Sequence, residues 1–422
     1  MIGFYDYTVI MTYISVVSSM IGIFCAMTDR IATAVCCLAF SGLCDMFDGK
    51  IARTKKNRTD EEKCFGIQID SLADIVCFGI LPIVLGFKLG MYHVYGVAIL
   101  LFYGLAGLIR LAYFNVMEAR DYVQYVDPYI GSGGHGHVFV GASVPFGAIQ
   151  VGPQNIHKGW DWCSGYHYSD SVIIGFAHTH LNGTGCTDLG DVQVMPFTGK
   201  VRTKRGEQHD ISGSYASYYK HENEIVRPNY YSLLMENGIK VELSATERVA
   251  IHRYHYPKQN VEKHILINLK EGNGFEDYAS GLKKVDDYTI EGYRFVNGWA
   301  PEHRIYFVLK TNKPIKDLLL FEDSAFVDSK DLNSKGVKGV LVLDNDLSDI
   351  SLKVAISSVS CRNAALNVEG EIPHWDLEKV SKEGLKKWNK ELGRIKLSDT
   401  NAKNLKIFYT AMYHTLIAPT TY

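Results

Sequence analysis

The chain has 422 residues, 44 Lys+Arg against 46 Asp+Glu, a formal net charge of −2 and 47% hydrophobic residues. That length allows two or three domains with sizeable cores. The near-neutral charge speaks against a nucleic-acid binder, the apolar content excludes a disordered acidic chain, and 11 prolines are too few for a Pro-rich linker protein.

The composition breaks near residue 120. Residues 1–120 hold 10 Lys+Arg, 10 Asp+Glu, none of the 5 Trp and one of the 15 His, His93. They also hold Cys25, Cys36, Cys37, Cys44, Cys64 and Cys77, mostly in apolar runs where Cys acts as a small buried hydrophobe. Residues 7–28 carry no charge and are long enough to span a hydrocarbon core. The start, Met1 to Asp6, lacks the basic region of a cleaved signal, so an anchor that stays is expected. Further apolar runs at 31–44, about 71–87 and 89–109 predict four spans. The basic stretch Arg53-Thr-Lys-Lys-Asn-Arg58 between the second and third marks that loop as cytoplasmic.

Asp45 and Asp48 close the second predicted span, and Asp70 and Asp74 open the third. Charges at such depths are costly and read as functional. The i,i+3 and i,i+4 spacings put each pair on one helix face. Two such faces could hold hard divalent cations, and a two-metal clamp suits in-line phosphoryl displacement. Gly49 and Gly66 would allow close approach. A solvated loop edge paired with Arg53, Lys55 and Lys56 explains Asp60, Glu61 and Glu62 better than the four spaced Asp.

The stretch Asp45-Met-Phe-Asp48-Gly49-Lys-Ile-Ala52-Arg53, followed by Gly66-Ile-Gln-Ile-Asp70-Ser-Leu-Ala-Asp74, resembles the CDP-alcohol phosphatidyltransferase signature D-x-x-D-G-x-x-A-R … G-x-x-x-D-x-x-x-D. Phe65 to Leu72, Arg110-Leu-Ala-Tyr-Phe-Asn115 and a 12-residue spacer between Arg53 and Gly66 resemble its phosphatidylserine synthase branch. The resemblance implies CDP-diacylglycerol and serine as substrates and Mg2+ or Mn2+ held by Asp45, Asp48, Asp70 and Asp74. It further implies Asp74 as general base on the serine hydroxyl, with Gly49, Ala52, Arg53 and Gly66 lining the substrate side. Arg110 would contact a phosphate or the serine carboxylate, or else snorkel at a helix end. A homodimer in the lipid bilayer is expected. The family carries further spans beyond these four, so the bundle is expected to be truncated.

From Asp121 hydropathy drops, with no Gly/Ser- or Pro-rich linker at the seam. Strand-like runs at 241–256, 264–269, 304–310, 340–343 and 350–359 predict a β-sandwich. Leu377, Val380, Leu385, Trp388 and Leu392, then Leu405, Phe408, Met412 and Leu416, mark two helical faces, and Pro419 ends the second. Gly131 to His137, Trp160 to His167 and His178 to Asp191 cluster Trp, His and Asp in Gly-rich segments. His178-x-His180 suits a metal pair if it lies on a strand, the aromatic residues suit sugar stacking, and both suit buried turns.

Val126 to His137, Gly141-Ala-Ser-Val-Pro-Phe-Gly147 and the Trp160 and His178 blocks resemble glycoside hydrolase family 92, calcium-dependent inverting α-mannosidases. The resemblance implies an N-terminal sandwich on an (α/α)6 toroid, with Trp160, Trp162, His178 and His180 as walls of a mannose-glycan pocket. It places the catalytic carboxylates and main Ca2+ ligands in the toroid, so no catalytic residue is expected here and the calcium ligands are expected to be missing. The expected fold is thus an α-helical membrane bundle of four spans (1–118), an all-β sandwich (121–370), and a linker helix with the first helix of a truncated α/α toroid (371–422). Four spans would leave the soluble half cytoplasmic, whereas family 92 enzymes act on exported glycans. Three readings stay open: a phosphatidylserine-synthesising membrane enzyme with a passenger, a catalytically incomplete carbohydrate-binding or mannosidase-type fragment on a membrane anchor, and a non-functional fusion or mis-joined gene model.

Overall fold

The computed structural model describes residues 7–52, 60–118, 121–258 and 260–421, and the chain divides into two compact units, Met1–Arg120 and Asp121–Tyr422.

The first unit is helical. Its elements are α1 (Ile10–Met27), α2 (Ile31–Ala52), α3 (Asp60–Asp74), a π-helical segment (Ile75–Ile80), α4 (Leu81–Lys88) and α5 (Val94–Glu118). Among the described residues, four helical stretches are long and apolar enough to cross a membrane: Ile10–Met27, Ile31–Asp48, Phe65–Lys88 and Val94–Ala112. The predicted spans need correction at their ends. The second runs on through Asp45 and Asp48, and the third begins before Asp70, because isolated acids depress local hydropathy without breaking an i→i−4 hydrogen-bond ladder. The fourth begins at Val94, since residues 89–93 form a turn in which Gly90 has φ +103°. The aspartate pairs therefore lie within helices. The expected basic loop, Arg53 to Arg58, lies outside the described residues.

Helices α1 and α2 meet along a seam of small polar residues. Gly22 permits a close approach, since a Cβ there would lie 2.9 Å from the Cys37 Cβ. The π-helical segment follows Asp74 directly. Widening the ladder to i→i+5 frees backbone groups, and the Tyr103 hydroxyl of α5 donates to the Phe78 carbonyl at 2.6 Å.

The second unit is a sandwich of antiparallel sheets followed by helices. Its strands are β1 (Gly152–Asn155), β2 (Val172–Ala177), β3 (Gln193–Thr198), β4 (Ser217–Tyr218), β5 (Glu224–Arg227), β6 (Tyr230–Leu234), β7 (Lys240–Ala245), β8 (Val249–His255), β9 (Lys263–Asn268), β10 (Asp277–Asp286), β11 (Thr289–Val296), β12 (His303–Thr311), β13 (Asp317–Glu322), β14 (Ala325–Val327), β15 (Asp331–Ser334), β16 (Val337–Val342) and β17 (Asp349–Ser357). One sheet has the order β1-β2-β3-β9-β16-β13-β14 with β4 beside β2. The other is β15-β10-β11-β12-β17-β8-β7-β6-β5. The run 241–256, expected as one strand, is the β7–β8 hairpin, in which Ala245 pairs with Ala250.

Inner faces of both sheets form the main core, including Phe176, Tyr231, Leu266, Phe307 and Leu352. The larger sheet is covered on its other side too. Val249, Ile251, Val308 and Ala355 pack against Ala364 and Val368 of α6 (Cys361–Glu371) and Leu377 and Val380 of α7 (Leu377–Leu392). The hydrophobic pattern did not announce α6. Its start is set by Ser360, whose hydroxyl accepts from the Asn363 amide. Asp376 caps α7 and Asn401 caps α8 (Ala402–Thr415) in the same way. In α8 the buried positions are Leu405, Tyr409, Thr410 and Tyr413, while Phe408 and Met412 are half-buried beside them. Tyr122 from the start of this unit packs among Trp388, Leu392 and Tyr409.

Two buried polar features hold this architecture. Asn229, at φ +58°, accepts from the Ala245 amide and donates to the Val380 carbonyl, tying β7 to α7. A Cβ at Gly384 would lie 1.8 Å from its amide nitrogen. Gly384→Ala is therefore expected to lower stability by about 1–3 kcal/mol, the usual cost of overpacking, read as a shift of the chemical-denaturation midpoint.

The second feature is a chain of imidazoles. His178 Nδ1 donates to the Val192 carbonyl, so its Nε2 accepts from His252 Nε2 at 3.0 Å, and the Tyr254 hydroxyl donates to His252 Nδ1 at 2.9 Å. Burial lowers the His178 and His180 pKa values to about 4 and takes His252 well below its usual value. The unfolded chain protonates these rings near pH 6.5. Below that pH the unfolded state binds more protons, so stability falls with acidity, by on the order of 2 kcal/mol per ring at pH 5. His221, raised by its Glu224 hydrogen bond, acts in the opposite sense. So does His303, where the Asp191 contact outweighs burial. Thermal unfolding of the sandwich should shift to lower temperature between pH 6.5 and 5, with a shallower dependence in His252→Gln; a flat profile would refute this account.

Candidate functional site

In the first unit, α2 and α3 bring the two sequence pairs together. Carboxylate oxygens of Asp45, Asp70 and Asp74 lie within 4.8 Å of one another. Asp48 is in hydrogen-bonding reach of Asp70 and accepts from the Thr12 hydroxyl at 2.8 Å. The helical spacings that predicted shared faces thus converge on one cluster. Its donor set is all oxygen, and close carboxylates repel unless protons or cations sit among them, so the set fits a hard divalent cation.

Asp70 and Asp74 also line a 780 Å³ cleft with Phe78, Tyr103 and Arg110. Arg110 of α5 thereby shares a cavity with the third-helix acids. Gly66 lies in α3, Gly49 and Ala52 in the last turn of α2, and Arg53 outside the described residues. Thr12 and Tyr103 were not foreseen. A hydroxyl in an apolar span looks like any tolerated residue until its neighbour is known.

In the second unit the four proposed wall residues are not gathered at one point. Trp160 is 55% exposed, donates its indole N–H to the Gly185 carbonyl and packs edge-on against His137 at 4.3 Å. His135 and His137 both approach Asp161 Oδ1, at 2.6 and 3.5 Å. Trp162 stacks on His167 at 4.5 Å and donates to Asp170. His178 is fully buried in the imidazole chain, and the His180 ring donates to the Gln150 carbonyl. His178 and His180 follow the end of β2 and bind different partners, so the strand-face argument for a metal pair does not apply to them.

His180 instead lines a 520 Å³ cavity with Thr179, Asn182, Arg248, His303 and Asn363. His303 was not anticipated. It donates to Asp191 at 2.8 Å, and the same buried carboxylate binds Arg294 and Thr179. Burial would raise the Asp191 pKa, but Arg294 and His303 hold it well below the carboxylate range. Among the described residues, the second unit has no group of three metal-ligating side chains drawn together.

Comparison with known proteins follows the same division. The CDP-alcohol phosphatidyltransferase model matches residues 8–140. The glycosyl hydrolase family 92 N-terminal domain model matches 125–357, and the family's catalytic domain model matches 363–422. CDP-diacylglycerol–serine O-phosphatidyltransferase of Saccharomyces cerevisiae is 44% identical over 80 residues, 19% of this chain and 28% of that protein. An uncharacterized secreted glycosidase of Arthroderma benhamiae is 24% identical over 335 residues, 72% of this chain and 42% of that protein. A family 92 α-mannosidase from Bacteroides thetaiotaomicron, solved also with mannoimidazole, superposes with TM-score 0.69 at 32% identity, covering 72% of this chain and 42% of that one. The chain thus spans about two fifths of the glycosidases it matches and less of the yeast transferase. It belongs to glycosyl hydrolase family 92 through residues 125–357 and 363–422, joined as a chimera to an N-terminal CDP-alcohol phosphatidyltransferase segment.

Proposed function

We propose that the first unit transfers a phosphatidyl group from CDP-diacylglycerol to serine, releasing CMP. The observation that carries this reading is the convergence of Asp45, Asp70 and Asp74 within 4.8 Å, two of them on the wall of the 780 Å³ cleft. Asp45, Asp48, Asp70 and Asp74 would hold Mg2+ or Mn2+, which when bound supplies charge neutralisation for the diphosphate. Asp74 takes the proton of the serine hydroxyl, whose oxygen attacks the phosphatidyl phosphorus as the bond to CMP breaks. Arg110 offers a guanidinium fork to a phosphate or to the serine carboxylate. Phe78, Ile80, Ile83 and Leu108 give the cleft an apolar wall suited to acyl chains. Gly49, Ala52 and Arg53 line the nucleotide side, Gly66 lets substrate approach closely, and the site faces the cytoplasm, on the side of the Arg53–Arg58 loop. The unit comprises residues 1–118 and acts as a homodimer.

Purified protein in detergent should release CMP only with serine and a divalent cation. Asp74→Asn should cost about 10²–10⁴-fold in kcat, as expected for loss of a general base. Wild-type protein that shows no turnover at any Mg2+ or Mn2+ concentration would sink the reading.

A second reading concerns residues 121–422, as a sandwich to 370 and a toroid start from 371. The 32% identity to an α-mannosidase solved with mannoimidazole, and a 520 Å³ cavity lined by His180, Asn182 and Asn363, favour binding of a mannose-type ligand. Trp160 and Trp162 would add stacking surfaces at a separate loop cluster. No catalytic step is assigned to this unit. Calorimetric titration with mannose should give heat above buffer dilution, reduced in Asn182→Ala; absence of heat counts against the reading.

A further inference from the structure

The seam between α1 and α2 ends on the carboxylate cluster. Thr12, Ser15 and Ser19 lie at i, i+3 and i+7, on one side of α1. Ser15 Oγ donates to the Ser41 carbonyl at 3.3 Å, and Ser41 Oγ donates to the Ser15 carbonyl at 3.0 Å. The hydroxyls of Ser19 and Ser41 share a bond of 2.8 Å, and Ser18 Oγ donates to the Cys37 carbonyl at 3.1 Å. These bonds tie helix to helix. Thr12 differs, because its hydroxyl, on a residue only 4% exposed, donates to Asp48 Oδ2 rather than to backbone or hydroxyl.

A carboxylate among other carboxylates tends to swing away from them. A hydroxyl bonded to one oxygen opposes that rotation and leaves the other oxygen free for the cluster. Groups bonded to ligands in this way orient them and tune metal affinity. We propose that Thr12 is a positioning residue for the cation site, fixing Asp48 so that the four-aspartate set is preorganised before a cation arrives. This rests on reading the cluster as the metal site of a phosphatidyltransferase. The β-branched threonine suits the task, since branching at Cβ leaves its side chain few rotamers in a helix.

The test uses the full chain in detergent micelles, with Mn2+ alone as the probe. Binding is followed by loss of the free Mn2+ electron paramagnetic resonance signal, and CMP release is measured against Mn2+ in parallel. Thr12→Val keeps the shape and removes the donor, and is expected to weaken Mn2+ binding about 10-fold, with turnover recovering as Mn2+ is raised. Thr12→Ser restores the donor and should bind close to wild type. Ser19→Ala breaks a seam bond away from the cluster and should leave Mn2+ affinity unchanged. Should valine prevent folding, as judged by circular dichroism, Thr12→Ala gives the same comparison.

Wild-type affinity in Thr12→Val would overturn the proposal while leaving the transferase reading intact. Equal weakening in Ser19→Ala would also overturn it, by assigning the effect to helix packing. Wild-type protein that binds no Mn2+ defeats both. Protein that binds Mn2+ in a Thr12-dependent way, yet never releases CMP, supports the positioning role and defeats the transferase reading.

Discussion

Mutual repulsion among carboxylates is the constraint on which the first unit depends. Two unit charges about 4 Å apart at a protein-like dielectric repel by on the order of 4 kcal/mol, and Asp45, Asp70 and Asp74 place their oxygens within 4.8 Å of one another. Helices that present such a cluster must be held by something other than the cluster. The α1–α2 seam meets that need through a close approach at Gly22 and hydroxyl bonds spread along its length, so that the packing does not hang on any single one of them. The π-helical segment after Asp74 belongs to the same picture. It changes the phase of the helix just beyond the acids, and Tyr103 takes up a carbonyl there while lining the cleft.

The second unit solves a different problem. A nine-stranded sheet has two faces, and its central strand β17 is buried on both. One face packs on the smaller sheet, and α6 and α7 cover the other. Hydrogen bonds then set the angle of the covering helices, through Asn229 to Val380 and through Glu371 to Thr246 and Arg248. Polar groups buried in this way are tolerable because each is paired. Asp191 is the extreme case, a fully buried carboxylate held between Arg294, His303 and Thr179. That arrangement fixes His303 at the edge of the 520 Å³ cavity.

The two units share no chemistry. One gathers carboxylates on long apolar helices, and the other offers amides, imidazoles and indoles on loops of a sandwich. The overlap of the two family matches at residues 125–140 falls just past the point where the compact units divide. Tyr122, before that overlap, already packs with Trp388 and Tyr409, so the second unit claims its residues from the first turn after the seam.

The sequence by itself determined the class of each half and the identity of the four aspartates. Helical spacing and hydropathy are local properties, and a signature confined to two adjacent helices can be read without knowing their packing. The two-half organisation and the β-rich patterning were legible for the same reason. What only the tertiary structure decided is which side chain meets which. Thr12 became notable because the α1–α2 register brings it to Asp48. His178 and His180 parted because the chain leaves β2 at Ala177, where strand alternation stops governing direction. In α8 the deepest positions went to Tyr409 and Tyr413 rather than Phe408 and Met412, since docking against α7 and Tyr122 rotated the buried face by about one residue from the most apolar stripe. Such pairings depend on helix rotation and strand ends, which long-range packing sets and local sequence does not encode.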